Sequence, residues 1–154
     1  MKIISNLVEA HIVRKVNNNL EFLLLKRANH ETYAGIWQMV TGSINEDETA
    51  YETAAREIKE ETGLSIKKLW VVPRINSFYY PKNDSVCLVP VFATLIDENL
   101  DINISAEHSE FMWVKKNEAI TMLAWDGQRK SVELIEEYLT NKSSAIHFNE
   151  IELK

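Results

Sequence analysis

Residues 42–64 read GSINEDETAYETAAREIKEETGL, and the order of residue types in them dictates a helix entered through a polar loop. Thr49 stands three residues before Glu52, the spacing of a capping box in which each residue's side chain bonds the other's backbone N–H. Ala, Glu, Lys and Arg dominate the stretch to Thr62, and Gly63 follows where a left-handed C-terminal cap is wanted. The spacing predicts a helix over 49–62. Between Glu46 and Glu61 lie seven acids (Glu46, Asp47, Glu48, Glu52, Glu57, Glu60, Glu61) and two bases (Arg56, Lys59), a local balance of −5. At about 100° per residue, Glu57, Glu60 and Glu61 share an arc of about 100° beside an apolar face of Tyr51, Ala54, Ala55 and Ile58.

Like charges at these spacings each destabilise a helix by a few tenths of a kcal/mol. Lys59 points away from the trio, so no base within the helix is expected to relieve it and the counter-charge should come from outside. A hard divalent cation such as Mg2+ or Mn2+, which prefers carboxylate and carbonyl oxygens, is a natural one. A solvated acidic face would carry the same three residues. Two ordinary pairs at i,i+4, Glu52 with Arg56 and Arg56 with Glu60, are also expected.

Outward from this helix the chain reads as strands. Residues 2–15 and 20–27 are rich in Val, Ile, Leu and Phe, and Asn17, Asn18 and Asn19 between them supply turn chemistry for a hairpin. A polar loop follows over 28–35, then a short strand at 36–40. Beyond the helix, strands are expected at 67–80 and 85–96, joined by a turn at Pro81, Lys82, Asn83 and Asp84, with a shorter one at 111–114. Residues 117–123 and 129–140 have helical spacing, with Val132, Ile135 and Leu139 on one side. Hairpins mixed with helices imply an α/β fold around a mixed sheet.

The 154 residues suit one domain over 1–154, and 45% hydrophobic and 26% charged residues exclude disordered and fibrous classes. A net charge of −6 argues against polymeric nucleic acid, which requires a basic face. The single cysteine, Cys87, rules out an internal disulfide framework and reads as packing in an apolar strand, which favours a reducing, cytoplasmic setting. Glu9 interrupts the N-terminus before a leader's apolar stretch can form, and the longest apolar run, 87–96, falls short of the roughly 20 residues of a membrane span. His11, His30 and His147 have no Cys or His partner at ligand spacing, so zinc is not expected.

The acidic segment resembles the Nudix box. Gly42, Glu48, Arg56, Glu57, Ile58, Glu60, Glu61, Gly63 and Leu64 match its fixed positions without departure. The resemblance implies a mixed sheet sandwiched between helices and hydrolysis of a pyrophosphate linkage with Mg2+ or Mn2+. It implies that Glu57, Glu60 and Glu61 bind the metal together with the Gly42 carbonyl, that Arg56 orients carboxylates and that Glu48 braces the loop. A polyphosphate is itself anionic, so an acidic pocket can hold it only with cations between the two.

Two flanking stretches narrow the comparison. GIWQMVTGSI, around Trp37, Gln38 and Gly42, and AEHSEFMWV, with Glu107 before His108, are similar to stretches of dihydroneopterin triphosphate pyrophosphatases. The Glu-His pair also occurs in bis(5′-nucleosyl)-tetraphosphate hydrolases. By this resemblance Glu107 is the candidate fourth metal carboxylate or general base, with Glu57 and Glu110 as alternatives for the base. Trp37, Tyr79, Tyr80 and Trp125 are candidates for stacking a pterin or purine, although core packing explains each as simply. Gln38 and Arg27 complete the substrate candidates, Arg27 at a strand end where it can meet phosphate. The expected substrate is a nucleoside or pterin triphosphate releasing pyrophosphate, on a monomer or homodimer without membrane or nucleic-acid partners. Dinucleoside polyphosphate cleavage is the alternative reaction, and a non-catalytic nucleotide-sensing module the alternative class.

Overall fold

The computed structural model describes residues 1–141, 145 and 149–154, so His147 lies outside the described residues. The strands are β1 (Lys2–Ile4), β2 (Leu7–Val16), β3 (Asn19–Arg27), β4 (Trp37–Gln38), β5 (Val40–Ser43), β6 (Lys68–Tyr80), β7 (Ser85–Ile96), β8 (His108–Val114) and β9 (Glu150–Glu152). The helices are α1 (Ala50–Thr62), α2 (Lys116–Met122) and α3 (Asp126–Thr140). The strands join in one sheet with the order β4-β3-β2-β7-β6-β9; β1 pairs with β7, β5 with β2 and β8 with β3. Pairings of β7 with β1 and β2 are parallel and the others antiparallel, which makes the sheet mixed.

Local chemistry sets the turns. Asn17 and Asn18 both have positive φ (49° and 64°), and Val16 pairs with Asn19, so the first hairpin closes through a two-residue loop that asparagine tolerates. The sequence-based single strand over 2–15 is in fact two: β1 stops at Ile4, and Ser5 leaves the sheet to donate its hydroxyl to the Leu88 carbonyl. β8 begins at His108, three residues before the expected 111, and β9 is a strand that composition did not signal.

Period-two alternation divides the core between the two faces of the sheet. Val8, Ala10 and Ile12 of β2 join Leu23, Leu25 and Val40 beneath Ala54 and Ile58 of α1. On the other face Val13, Phe22, Leu24 and Met39 pack with Val132 and Ile135 of α3. Helices therefore lie on both sides of the sheet. Ile58 is fully buried, and Ile58→Ala is expected to cost about 2–5 kcal/mol. Urea unfolding checks this as a lower midpoint at constant slope.

The strands part where the site forms. β2 and β3 pair only over Val13–Val16 and Asn19–Phe22. Beyond that, Leu7–Ala10 of β2 takes β5 as its partner, and Leu25 and Lys26 of β3 take β4. The stretch 37–43 thus enters the split, with Met39 buried at the crossing, and delivers Gly42 beneath α1.

Candidate active site

Thr49 caps α1 as its spacing requires. Its hydroxyl accepts from the Glu52 N–H (3.3 Å), and the Glu52 carboxylate accepts from the Thr49 N–H (2.9 Å). Gly63 closes the other end at φ 77°, donating to the Lys59 carbonyl. Lys59 turns to the Gly63 carbonyl and the Ser65 hydroxyl, away from the acids. Glu52 is occupied by the cap, so the expected Glu52–Arg56 pair does not form.

Arg56 is instead the hub of the site. Its Nε and Nη2 form a fork on the two oxygens of Glu48 (2.8 and 3.0 Å), Nη2 also reaches the Ser43 carbonyl (3.1 Å), and Nη1 meets Glu57 (2.8 Å) and Glu60 (3.3 Å). The expectation that no base within the helix relieves the acidic trio is therefore corrected: the planar guanidinium lies across the helix surface and serves Glu57 and Glu60 at once. Glu48 further accepts from the Thr53 hydroxyl (2.7 Å) and the Asn45 N–H (3.3 Å). Arg56, then Thr53, hold its carboxyl down to about 2, and the loop before α1 is tied to the helix.

Glu61 is outside this arrangement. It is only 3% exposed, and its Oε2 is buried without a hydrogen-bond partner. Burial, followed by the charges of Glu57 and Glu107, pushes its carboxyl up to about 9. Glu57 is raised as well, first by burial, with Glu60 and Glu107 adding to it against Arg56. Four carboxylates thus share one field, and Arg27 opposes it at Glu61. Gly42 sits under Glu57 so closely that a β-carbon there would overlap the glutamate side chain.

These residues suit a hard divalent cation. All available donors are oxygens, Glu61 Oε2 has no partner, and crowded carboxylates lacking a counter-charge are what a cation stabilises. Among the described residues no three His, Cys, Asp or Glu side chains already ring a common point, because Glu57 and Glu60 lean on Arg56. His11, His30 and His108 offer no alternative nitrogen-rich set.

The second wall comes from β3, β4 and β8. Arg27 donates from Nε to the Thr32 carbonyl (2.6 Å) and from Nη2 to Glu31 (3.3 Å). Gln38 is buried opposite Leu25, with its amide nitrogen 3.4 Å from His108 Nε2. Burial and then Arg27 hold the His108 imidazole down to about 4, so it is neutral. Glu107, next in the chain, accepts the Ala28 N–H at its carbonyl (2.9 Å), and its carboxylate charge bears on Glu57 and Glu61. Glu110 instead pairs with Lys26 (3.2 Å). Trp37 is half-buried against the α3-side core beneath Lys26. Tyr80 lies apart: it faces Ser85 at the end of β6, five residues beyond Ile75 opposite Pro90, roughly 16 Å along the strand.

One buried constellation went unread in the sequence. Glu9 accepts from both His11 (2.9 Å) and Asn76 (3.0 Å), and Asn76 also reaches the Ser131 hydroxyl (3.2 Å), which ties β2, β6 and α3 together beneath the sheet. The signal was present in LVEAHIV, where Glu9 and His11, two residues apart, must share one face of an apolar strand.

A family model described as the NUDIX domain matches residues 6–137. The chain is 30% identical over 132 residues to the dihydroneopterin triphosphate diphosphatase of Haemophilus influenzae, covering 77% of this chain and 78% of that one. It is 26% identical over 126 residues to the asymmetrical bis(5′-nucleosyl)-tetraphosphatase of Mus musculus, covering 80% and 84%. Among solved structures, the MutT protein of Methanosarcina mazei superposes with a TM-score of 0.71 at 28% identity, covering 91% of this chain and 97% of that one.

Proposed function

The chain belongs to the Nudix family, a hydrolase of phosphoanhydride bonds, and from that premise we propose that it releases pyrophosphate from a nucleoside triphosphate or from dihydroneopterin triphosphate, with Mg2+ or Mn2+ as the metal. The observation that carries this reading is the field shared by Glu57, Glu60, Glu61 and Glu107, with Arg27 at its border. The Haemophilus and mouse relatives support a small phosphoanhydride substrate and differ in which one their names give.

Glu57, Glu60, Glu61 and Glu107, with the Gly42 carbonyl, would hold the metal. When bound, it neutralises phosphate oxygens and acidifies water. Arg56 keeps Glu57 and Glu60 in place, and Glu48 keeps Arg56 in place through the two-pronged pair. Arg27 faces the negative cluster from the β3 side and counters phosphate charge there. Gln38, on the Leu25 face of β4, fixes His108 and thus the strand start beside Glu107, while Trp37 faces the other side of the sheet beneath Lys26. Tyr80 contributes only to a substrate long enough to reach the β6–β7 tip. Glu107 takes the proton from the attacking water, because Glu57 is paired with Arg56 and Glu110 with Lys26.

Mass identification of the products tests the reading. Pyrophosphate plus a monophosphate is the expected outcome; mononucleotides from a dinucleoside polyphosphate would replace it with the alternative reaction, and tight binding without products would leave a sensing module. Glu107→Gln is expected to lower kcat by about 10^2-fold or more, with Glu110→Gln within a few-fold of the parent. The reverse ranking would move the base to Glu110.

A further inference from the structure

Arg27 ends β3 beside the carboxylates, and its charge bears on both Glu61 and His108. A guanidinium grips an oxyanion best through the edge that carries Nε and one Nη, which offers two parallel N–H bonds. Arg56 uses that edge on Glu48. On Arg27 the same edge is already taken by the chain itself: Nε donates to the Thr32 carbonyl (2.6 Å) and Nη2 to the Glu31 carboxylate (3.3 Å). Nη1 has no partner among the described residues.

The loop over 28–35 that supplies both acceptors is fixed by its backbone. Glu31 N–H donates to the Ala28 carbonyl (3.1 Å), Ala28 N–H to the Glu107 carbonyl (2.9 Å), and Gly35 N–H to the Arg27 carbonyl (2.9 Å). Tyr33 and Gly35 close it at positive φ, 57° and 81°. Glu31 is thus delivered to the guanidinium by the fold. The side chains of Arg27 and Glu31 remain 18% and 29% exposed, and a partly solvated pair joined by one bond contributes little to stability. Its larger effect is on charge, because it neutralises the base that faces the carboxylate cluster.

We propose that Glu31 holds Arg27 in the place of a substrate phosphate, an autoinhibitory contact that the substrate must displace. The Thr32 carbonyl keeps the guanidinium in position while Nη2 exchanges the Glu31 carboxylate for a phosphate oxygen. A phosphate group carrying more charge than a carboxylate favours that exchange, and Glu31 retakes Arg27 when the product leaves. This rests on the hydrolase reading, in which Arg27 meets phosphate, and adds the residue that opposes binding there.

The test compares the parent, Glu31→Gln, Arg27→Gln and the double variant. Binding of an α,β-methylene nucleoside triphosphate with Mg2+ is measured by calorimetry, and KM on the corresponding triphosphate. Glu31→Gln is expected to tighten the analogue by about 3-fold or more and to lower KM by a similar factor, the reverse of what a damaged loop would do. Loss of a general repulsion toward anions would survive removal of Arg27, whereas release of its guanidinium would not. In the Arg27→Gln background the gain from Glu31→Gln should therefore vanish. A full gain in that background makes Glu31 a bulk charge and overturns the proposal. Weaker or unchanged binding in Glu31→Gln overturns it too, since Glu31 would then orient Arg27 for the substrate, as does an analogue that binds neither parent nor variant. Tightening that depends on Arg27, in a protein that hydrolyses nothing, overturns the hydrolase reading and leaves the contact standing.

Discussion

Gly42→Ala is expected to fold and to lose turnover by about 10^2- to 10^3-fold. A β-carbon at residue 42 would overlap Cγ, Cδ and Oε1 of Glu57, and Gly42 is not among the positive-φ glycines, so the backbone accepts alanine while the glutamate cannot stay. Glu57 swings out, its 2.8 Å bond with Arg56 breaks, and a carboxylate leaves the cluster. Losing one precisely placed charge stabiliser costs on the order of 3–4 kcal/mol of barrier, which is two to three decades of rate. The melting temperature should move by a few degrees at most. The decisive comparison is non-additivity: Gly42→Ala/Glu57→Ala should be no slower than Gly42→Ala, because both act through one side chain. Fully multiplicative losses would mean that Gly42 serves the reaction by another route.

Much of this site was legible because its determinants are local. Thr49, Glu52 and Gly63 define α1 by spacing alone, and the 3.6-residue period places Glu57, Glu60 and Glu61 together. What the period could not give was depth. Glu60 is exposed and Glu61 buried, although they are adjacent on the same arc, because burial depends on what the rest of the chain brings against each side of the helix, which helical spacing does not encode. Nor could it give the reach of Arg56, which passes over its i−4 neighbour Glu52 to take Glu48 from outside the helix. The non-local features were silent for the same reason. β9 becomes a strand only because Lys68–Trp70 offers it an edge, and the Tyr33 ring meets the Trp125 ring only through folding of residues more than 90 positions apart.

Glu61→Gln is expected to act in opposite directions on stability and activity. Burial first, and then Glu57 and Glu107, raise the Glu61 carboxyl from 4.5 to about 9 on folding. A group raised in this way binds its proton more tightly in the native state, so its stabilising contribution is complete below 4.5 and is lost as pH climbs through about 9. Without divalent cation, the melting temperature should therefore fall by several degrees between pH 5 and pH 9. Glutamine is neutral throughout, so the variant should lose most of that slope and be the more stable protein at pH 8. Saturating Mg2+ should flatten the slope of the parent too, since a cation takes the place of the proton and binds only the folded cluster. The variant forgoes that response, and its kcat should drop on the order of 10^3-fold, as expected when several kcal/mol of charge stabilisation disappear. Scanning calorimetry with and without Mg2+ at three pH values, beside steady-state rates, measures both effects. Parallel pH profiles for parent and variant, with activity retained within tenfold, would place Glu61 in the core as a packing residue and remove it from the metal set.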